Sequence, residues 1–291
     1  MQEYIDKAAV LVEALPYIRT FAGKTVVIKY GGAAMAAAGL RDAVMQDVAL
    51  MRFVGMNPVV VHGGGPEVSA LMERLGMTPR FVDGLRVTDA ATMEIAQMVL
   101  VGKTNREIVG ALVAQGAKAI GLSGHDGGLI RATRHLHRGR DGELVDLGFV
   151  GDVAAVDAQV IESLTASGFV PVIAPIGLGA DGQPYNINAD TVAAEVAAAL
   201  RAEKLVLLTD VEGLRADPAD PRSRVSRIAA EDLRDWLAAG RIEGGMIPKV
   251  EACLRALEAG VRRVHIVDGR VPHALLLEVF TDQGVGTMVV R

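Results

Sequence analysis

Six short runs of this chain are apolar at nearly every position: residues 25–30, 58–62, 118–123, 170–174, 205–209 and 263–267. All are rich in Val and Ile and of strand length. A strand with one wet face alternates apolar and polar residues, whereas one that is apolar throughout is buried on both faces. The runs therefore predict a parallel sheet covered by helices. Between them, apolar residues recur at three- and four-residue spacing, which predicts helices over 41–54, 66–75, 89–114, 156–167, 190–202, 229–239 and 249–259. Residues 3–20 carry the same spacing in Ile5, Ala8, Val12 and Leu15, and Pro16 is expected to kink or break that helix near its end. This first helix either packs on its own subunit or reaches a neighbouring one. Turn pairs Asp141-Gly142 and Asp181-Gly182 mark hairpins within 129–152 and 176–187, and the Pro- and Asp-rich stretch 216–221 reads as an exposed loop. The pattern is that of an α/β three-layer sandwich with a mainly parallel central sheet. It divides into an N-terminal helical arm (1–24) and two lobes (25–200 and 201–291).

Composition narrows the function. Of 291 residues 51% are apolar and 22% charged, which excludes general disorder. A formal net charge of −5 argues against a nucleic-acid binder, which would normally be basic. The single cysteine, Cys253, rules out an internal disulfide and a multi-cysteine zinc site, fits a reducing cytoplasm, and reads as a small buried side chain. The apolar runs are too short to span a membrane, and Glu3, Asp6, Lys7 and Glu13 interrupt any signal-peptide pattern. A soluble protein of the cytoplasm is expected.

The chemistry sits where strands empty into glycines. Val26-Val27-Ile28-Lys29-Tyr30-Gly31-Gly32 delivers a lysine to the carboxyl end of the first strand, where open parallel sheets bind ligands. Val59-Val60-Val61-His62-Gly63-Gly64-Gly65-Pro66 leads a second strand through glycines into a helix. Gly244-Gly245-Met246-Ile247-Pro248-Lys249 brings a second lysine at the mouth of another helix. Bare backbone N–H groups and positive helix ends attract oxyanions, and two lysines add two charges, so the chain reads as a phosphoryl-transfer enzyme. Asn186-Ile187-Asn188-Ala189-Asp190-Thr191 offers two amides and a carboxylate. Either Asn188 or Asp190 suits a helix N-cap, and a carboxylate between the lysines would orient both. Asp83-Gly84-Leu85-Arg86-Val87-Thr88 sets Arg86, a natural carboxylate clamp, before a helix expected to be capped by Thr88. His62 is expected to position its loop, or else to contact the acceptor. Two look-alikes fail: Val101-Gly102-Lys103-Thr104 lacks the upstream glycine of a P-loop, and Gly177-Leu178-Gly179-Ala180-Asp181-Gly182 opens into a turn where a dinucleotide motif needs a helix. The six scattered histidines offer no protein-held metal site.

These motifs, taken in order with Leu208-Thr209-Asp210-Val211-Glu212-Gly213, resemble the amino acid kinase family over essentially the whole chain. The Gly-Leu-Arg-Val-Thr run resembles its acylamino-acid branch. The resemblance implies ATP-dependent phosphorylation of the γ-carboxylate of N-acetyl-L-glutamate in arginine biosynthesis, with Mg2+ riding on the ATP phosphates. It implies catalytic roles for Lys29, Lys249 and Asp190, and acceptor binding by Gly64, Gly65, Arg86, Asn186 and Asn188 in the 25–200 lobe. Nucleotide contacts fall to Gly31, Gly32, Thr209, Asp210, Val211, Gly213 and Met246, mostly in the 201–291 lobe. The N-terminal helix, the run His265-Ile266-Val267-Asp268-Gly269-Arg270 and the segment after it resemble the arginine-inhibited branch. This implies a hexamer interlaced through the arm, arginine contacts at Lys204 and Glu278, and a nitrogen-signalling protein as a further partner. A surface salt bridge is the alternative for Glu278. The rival functions are a kinase for another acylated amino acid, such as carrier-bound aminoadipate or glutamate, and a non-catalytic arginine or nucleotide sensor. A nicotinamide oxidoreductase is a third, weakened by the misplaced glycine pattern.

Overall fold

The computed structural model describes residues 1–32, 35, 38–139, 142–217, 220–281 and 284–291. Asp141 of the predicted turn and Pro218 and Ala219 of the predicted loop lie outside them. The strands begin with β1 (Thr25–Tyr30), β2 (Asn57–His62), the short pair β3 (Phe81–Val82) and β4 (Leu85–Arg86), and β5 (Ala119–Leu122). Next come β6 (Ile130–Arg134), β7 (His137–Arg138), β8 (Leu144–Val145), β9 (Gly151–Val156), β10 (Val170–Ile173), β11 (Ile176–Gly179) and β12 (Pro184–Asn186). The last are β13 (Lys204–Thr209), β14 (Arg227–Ala229), β15 (Arg263–Asp268) and β16 (Thr287–Val290). Helices are α1 (Gln2–Glu13), α2 (Leu15–Phe21), α3 (Ala38–Phe53), α4 (Gly65–Arg74), α5 (Ala90–Gln97) and α6 (Asn105–Ala114). They continue with α7 (Ala158–Ala166), α8 (Ala189–Ala199), α9 (Ala230–Ala238), α10 (Met246–Glu258) and α11 (Ala274–Phe280).

The main sheet runs β14-β16-β15-β13-β1-β2-β10-β5. Its six strands from β15 to β5 are the six apolar runs, all parallel. The short β16 pairs antiparallel with β15 and parallel with β14 at the edge. A second sheet, β12-β11-β6-β9, holds the β11–β12 hairpin and the outer strands of the first predicted one, where β6 pairs antiparallel with β9; the inner strands of that one, β7 and β8, form a separate antiparallel pair. The glycine pattern at 177–182 is the β11–β12 hairpin, so no dinucleotide helix follows it.

Alternation along each strand assigns the two faces of the main sheet. Val26, Ile28 and Tyr30 of β1 pack with α3, α6 and α11, while Val27 packs with α8 and α10. Lys29 shares Val27's face. All these strand residues are buried, and truncating one such side chain to Ala typically costs about 2–5 kcal/mol. Cys253 is fully buried on α10, and burial pushes its thiol pKa up.

At the N-terminus the predicted single helix is two, broken at Ala14, with Pro16 in the first turn of α2, where its missing N–H costs nothing. The predicted helix 89–114 is α5 and α6 joined by a π-helical segment, Met98–Thr104. Lys103, in the rejected P-loop look-alike, sits in that segment and pairs with Glu107. Thr88 does not cap α5. Asp89 does, accepting from the Thr92 N–H, while the Thr88 hydroxyl donates to the Arg86 carbonyl.

Candidate active site

Two lysines that are 220 positions apart in the numbering meet on one carboxylate. Lys29 Nζ lies 3.1 Å from Asp190 Oδ1, and Lys249 Nζ lies 3.1 Å from Asp190 Oδ2. Each arrives for a local reason. Lys29 is the fifth residue of β1, on the face that α8 and α10 cover. Asn188 caps α8, accepting from the N–H groups of Asp190 and Thr191, and leaves Asp190 in the first turn with its carboxylate free for the lysines. Lys249 stands one turn into α10, which packs along α8. Asp190 is only 4% exposed. Burial alone would raise its pKa, but the charges of Lys29 and then Lys249 outweigh that and hold it below the ordinary carboxylate range. Two cations, Lys29 buried and Lys249 half-buried, on one anion leave a surplus positive charge, which is the electrostatic condition for receiving a phosphoryl group.

A cleft of about 230 Å³ opens beside this triad, lined by Lys29, Asp190, Gly64, Gly65, Arg86, Asn186 and Asn188 together with Phe81, Leu85 and Ile187. The β3–β4 hairpin turns through Asp83 and Gly84, both with positive φ, and returns Arg86 to the cleft. The guanidinium is buried. Its Nη2 donates to the Gly65 carbonyl (2.8 Å) and to Ser69 Oγ (2.8 Å), and its plane lies 4.7 Å from the centre of the Phe81 ring. Gly64 (φ +154°) holds a backbone conformation that residues with a side chain rarely adopt, and a Cβ there would meet Leu100 Cδ2 at 2.5 Å unless that side chain moved. The first turn of α4 follows, with its unpaired N–H groups. His62 does not line this cleft.

A second cleft of about 390 Å³ is lined by Asp210, Val211, Gly213, Met246, Arg241 and Arg270, among others. Met246 opens the helix that carries Lys249, so the two clefts share the lysine pair's supports. Arg241 was not singled out in the sequence, and Arg270 entered there only as the end of the run 265–270, with no role in a nucleotide site. Arg241 is held over the Trp236 ring (4.1 Å) and Arg270 on Asp268 (2.8 Å). Gly31, Gly32 and Thr209 line neither cleft. Gly31 instead lies under Lys29, where a Cβ would come 3.0 Å from the ammonium. Among the described residues, no group of three or more His, Cys, Asp or Glu side chains could hold a metal. No described helix is long and apolar enough to cross a membrane.

Lys204 and Glu278 lie apart from both clefts, at a cavity of about 450 Å³ that also takes in Tyr17, Phe21, His265 and Gly284. Glu278 is buried rather than a surface ion-pair partner. Its Oε1 is 2.6 Å from His265 Nδ1, and its Oε2 accepts from the Val285 N–H. Lys204 Nζ sits 4.7 Å from the centre of the Phe21 ring and donates to the Glu278 carbonyl.

Comparison with known proteins identifies the family. The sequence profile described as "Amino acid kinase family" matches residues 24–268. The chain is 74% identical to the acetylglutamate kinase of Symbiobacterium thermophilum, over 100% of this chain and 99% of that one. It is 58% identical to the acetylglutamate kinase of Moorella thermoacetica, over 98% of each. Among solved structures, N-acetylglutamate synthase from Neisseria gonorrhoeae, complexed with coenzyme A and N-acetyl-glutamate, superposes with a TM-score of 0.84 at 27% identity. That match covers 98% of this chain and 63% of the synthase. The same synthase complexed with coenzyme A and L-arginine gives a TM-score of 0.80 at 25% identity, over 97% of this chain and 65% of that one.

Proposed function

The chain belongs to the amino acid kinase family, as an enzyme of the acetylglutamate kinase kind, and on that premise we propose that it moves the γ-phosphoryl group of ATP onto the γ-carboxylate of N-acetyl-L-glutamate. The observation that carries this reading is the Asp190 carboxylate gripped by both Lys29 and Lys249 at the mouth of a small, arginine-bearing cleft. The acceptor occupies that cleft, with its α-carboxylate on Arg86 and its acetamido group near Asn186 and Asn188. Mg·ATP enters as co-substrate through the second cleft, on Asp210, Val211, Gly213 and Met246, with Thr209 behind them and Gly31 and Gly32 beside the phosphates. An acceptor oxygen attacks the γ-phosphorus, the bond from that phosphorus to the bridging oxygen breaks, and ADP leaves with an acyl phosphate as co-product. The carboxylate is already ionised at neutral pH, so no general base is required. Rate then comes from alignment and from Lys29 and Lys249 meeting the charge that develops on the transferred group. Asp190 keeps the two ammonium groups on opposite flanks of one point.

Residues 25–200 serve in this scheme as the acceptor lobe and 201–291 as the nucleotide lobe, in an enzyme that works in the cytoplasm. Arginine acts as feedback inhibitor at the Lys204–Glu278 cavity, its guanidinium on Glu278. The arm, whose Tyr4, Ile5, Leu11 and Val12 are exposed, joins subunits into a hexamer. Sizing chromatography of protein lacking residues 1–13 checks that last point: a smaller assembly is expected, and an unchanged one would remove the arm's role.

The deciding experiment is a coupled assay of ADP release with N-acetylglutamate, glutamate and aminoadipate derivatives, each with and without arginine. Turnover with N-acetylglutamate, depressed by arginine, is the expected result. Preference for an aminoadipate derivative would reassign the acceptor, and absence of turnover with every acceptor would return the sensor reading.

A further inference from the structure

His62 ends β2 on the face opposite Lys29's, toward α6, and is fully buried. Its Nδ1 lies 2.7 Å from the Gly63 carbonyl oxygen. A carbonyl can only accept, so Nδ1 carries the proton. Its Nε2 lies 3.2 Å from Asn105 Nδ2. Asn105 is also fully buried, and its amide is oriented at both ends: Nδ2 donates to the Val172 carbonyl (2.9 Å), and Oδ1 accepts from Arg106 Nη2 (2.6 Å). The amide therefore offers His62 a donor, and Nε2 must meet it with a lone pair. One tautomer satisfies both contacts. Burial lowers the imidazole pKa to about 4, against the Gly63 hydrogen bond and with the help of Arg106's charge, so the ring stays neutral.

Gly63 is thus held on both sides, its N–H on the Tyr30 carbonyl (2.8 Å) and its own carbonyl, in the peptide that leads to Gly64, on His62. A second restraint comes from the same helix as Asn105. Residues five apart in an α-helix stand about 140° apart around the axis, but an i→i+5 turn brings them onto one side. The π-helical segment Met98–Thr104 makes that turn between Leu100, which packs on Gly64, and Asn105, which reaches His62.

We propose that Asn105 is a positioning residue for phosphoryl transfer: through His62 it sets the Gly63 carbonyl, and with it the Gly64–Gly65 backbone that lines the acceptor cleft. This rests on the reading of that cleft as the acceptor subsite. Asn105 touches no reactant and acts only through the loop.

The test uses the full-length protein labelled with 15N-histidine, and the isosteric variant Asn105→Asp. The wild-type spectrum at pH 7 is expected to show His62 as a neutral imidazole protonated on Nδ1. Asn105→Asp presents an acceptor where a donor stood, so Nε2 should become protonated. Turnover should fall about tenfold to a hundredfold, as for a modest misplacement of reacting groups, while the ATP KM stays within about twofold. His62→Ala should match that loss, and the double variant should lose no more than either single one, since both break a single link. A wild-type His62 protonated on Nε2, or charged at neutral pH, would overturn the proposal even if no variant folded. Single losses that multiply in the double variant would overturn it as well. If wild-type protein showed no acetylglutamate-dependent turnover, the reading of the cleft would fall while the tautomer measurement stood.

Discussion

Strand β13 has a charged cluster at each end, and the two clusters are built on opposite principles. Beside its carboxyl end, one buried carboxylate, Asp190, faces two lysines, so the cluster carries a surplus cation. At its amino end, Lys204 is matched by Glu278, and the third member, His265, is kept neutral because burial lowers its pKa. Burial also lowers Lys204, to about 8, although Glu278 opposes the shift. The first cluster is unbalanced and calls for an anion. In the second, the buried lysine has a carboxylate of its own, and the cavity, which Arg227 and Arg263 also line, presents that carboxylate and an aromatic ring to whatever enters; on the proposed reading this is the arginine site. Similar residue types make different electrostatic environments because the ratio of lysine to carboxylate differs.

The largest effect should come from upsetting the unbalanced cluster. Lys249→Ala should lower kcat by about 10²–10³, the usual loss when one preorganised donor to a transition state is removed, while titration with a fluorescent ATP analogue shows binding little changed. Near-normal kcat would take Lys249 out of the transition state. Next, Arg86→Ala should raise the acceptor KM more than it lowers kcat. Loss of a charged hydrogen-bonding group is worth about 1.5–3 kcal/mol, roughly tenfold to a hundredfold in KM, and an unchanged value would remove Arg86 from the acceptor site.

The second cluster should respond differently. Glu278→Gln keeps the shape but removes the charge, and should raise the arginine concentration for half-inhibition about tenfold. Inhibition curves that superpose with wild type would separate the cavity from arginine. The smallest effect concerns pH. A histidine whose folded pKa is lowered binds its proton less well when native, so its contribution to stability is present above the unfolded value of 6.5 and is lost as pH falls below it. Melting temperatures at pH 7.5 and 5.5 should therefore differ by about a few degrees more in wild type than in His265→Asn. Equal differences would mean that His265 is not held neutral.

Legibility in the sequence followed burial. The six parallel strands were readable because each is wrapped on both faces and so apolar throughout. The edge pair was not: β14 has three residues and β16 four, too short for a pattern. Lys29 was readable from a strand end and Lys249 from a glycine loop, whereas the grouping of Gly64, Gly65, Arg86, Asn186 and Asn188, which line one cleft, came from the motifs of the family resemblance. Whether Asn188 or Asp190 was the cap stayed open until the structure gave the cap to Asn188 and the lysines to Asp190. The π-helical turn was hidden because apolar periodicity over 89–114 cannot distinguish one extra residue in a turn. The burial of Glu278, which sets aside the alternative of a surface salt bridge, was hidden because its neighbours Phe21, Lys204 and His265 come from three distant parts of the chain.

The most direct test of the central claim is to trap the product. Wild-type protein incubated with Mg·ATP, N-acetylglutamate and hydroxylamine should yield acyl hydroxamate in step with ADP, and Lys29→Ala and Lys249→Ala should each lose both products together. ADP released without hydroxamate, or hydroxamate formed at wild-type rates by either variant, would contradict the account.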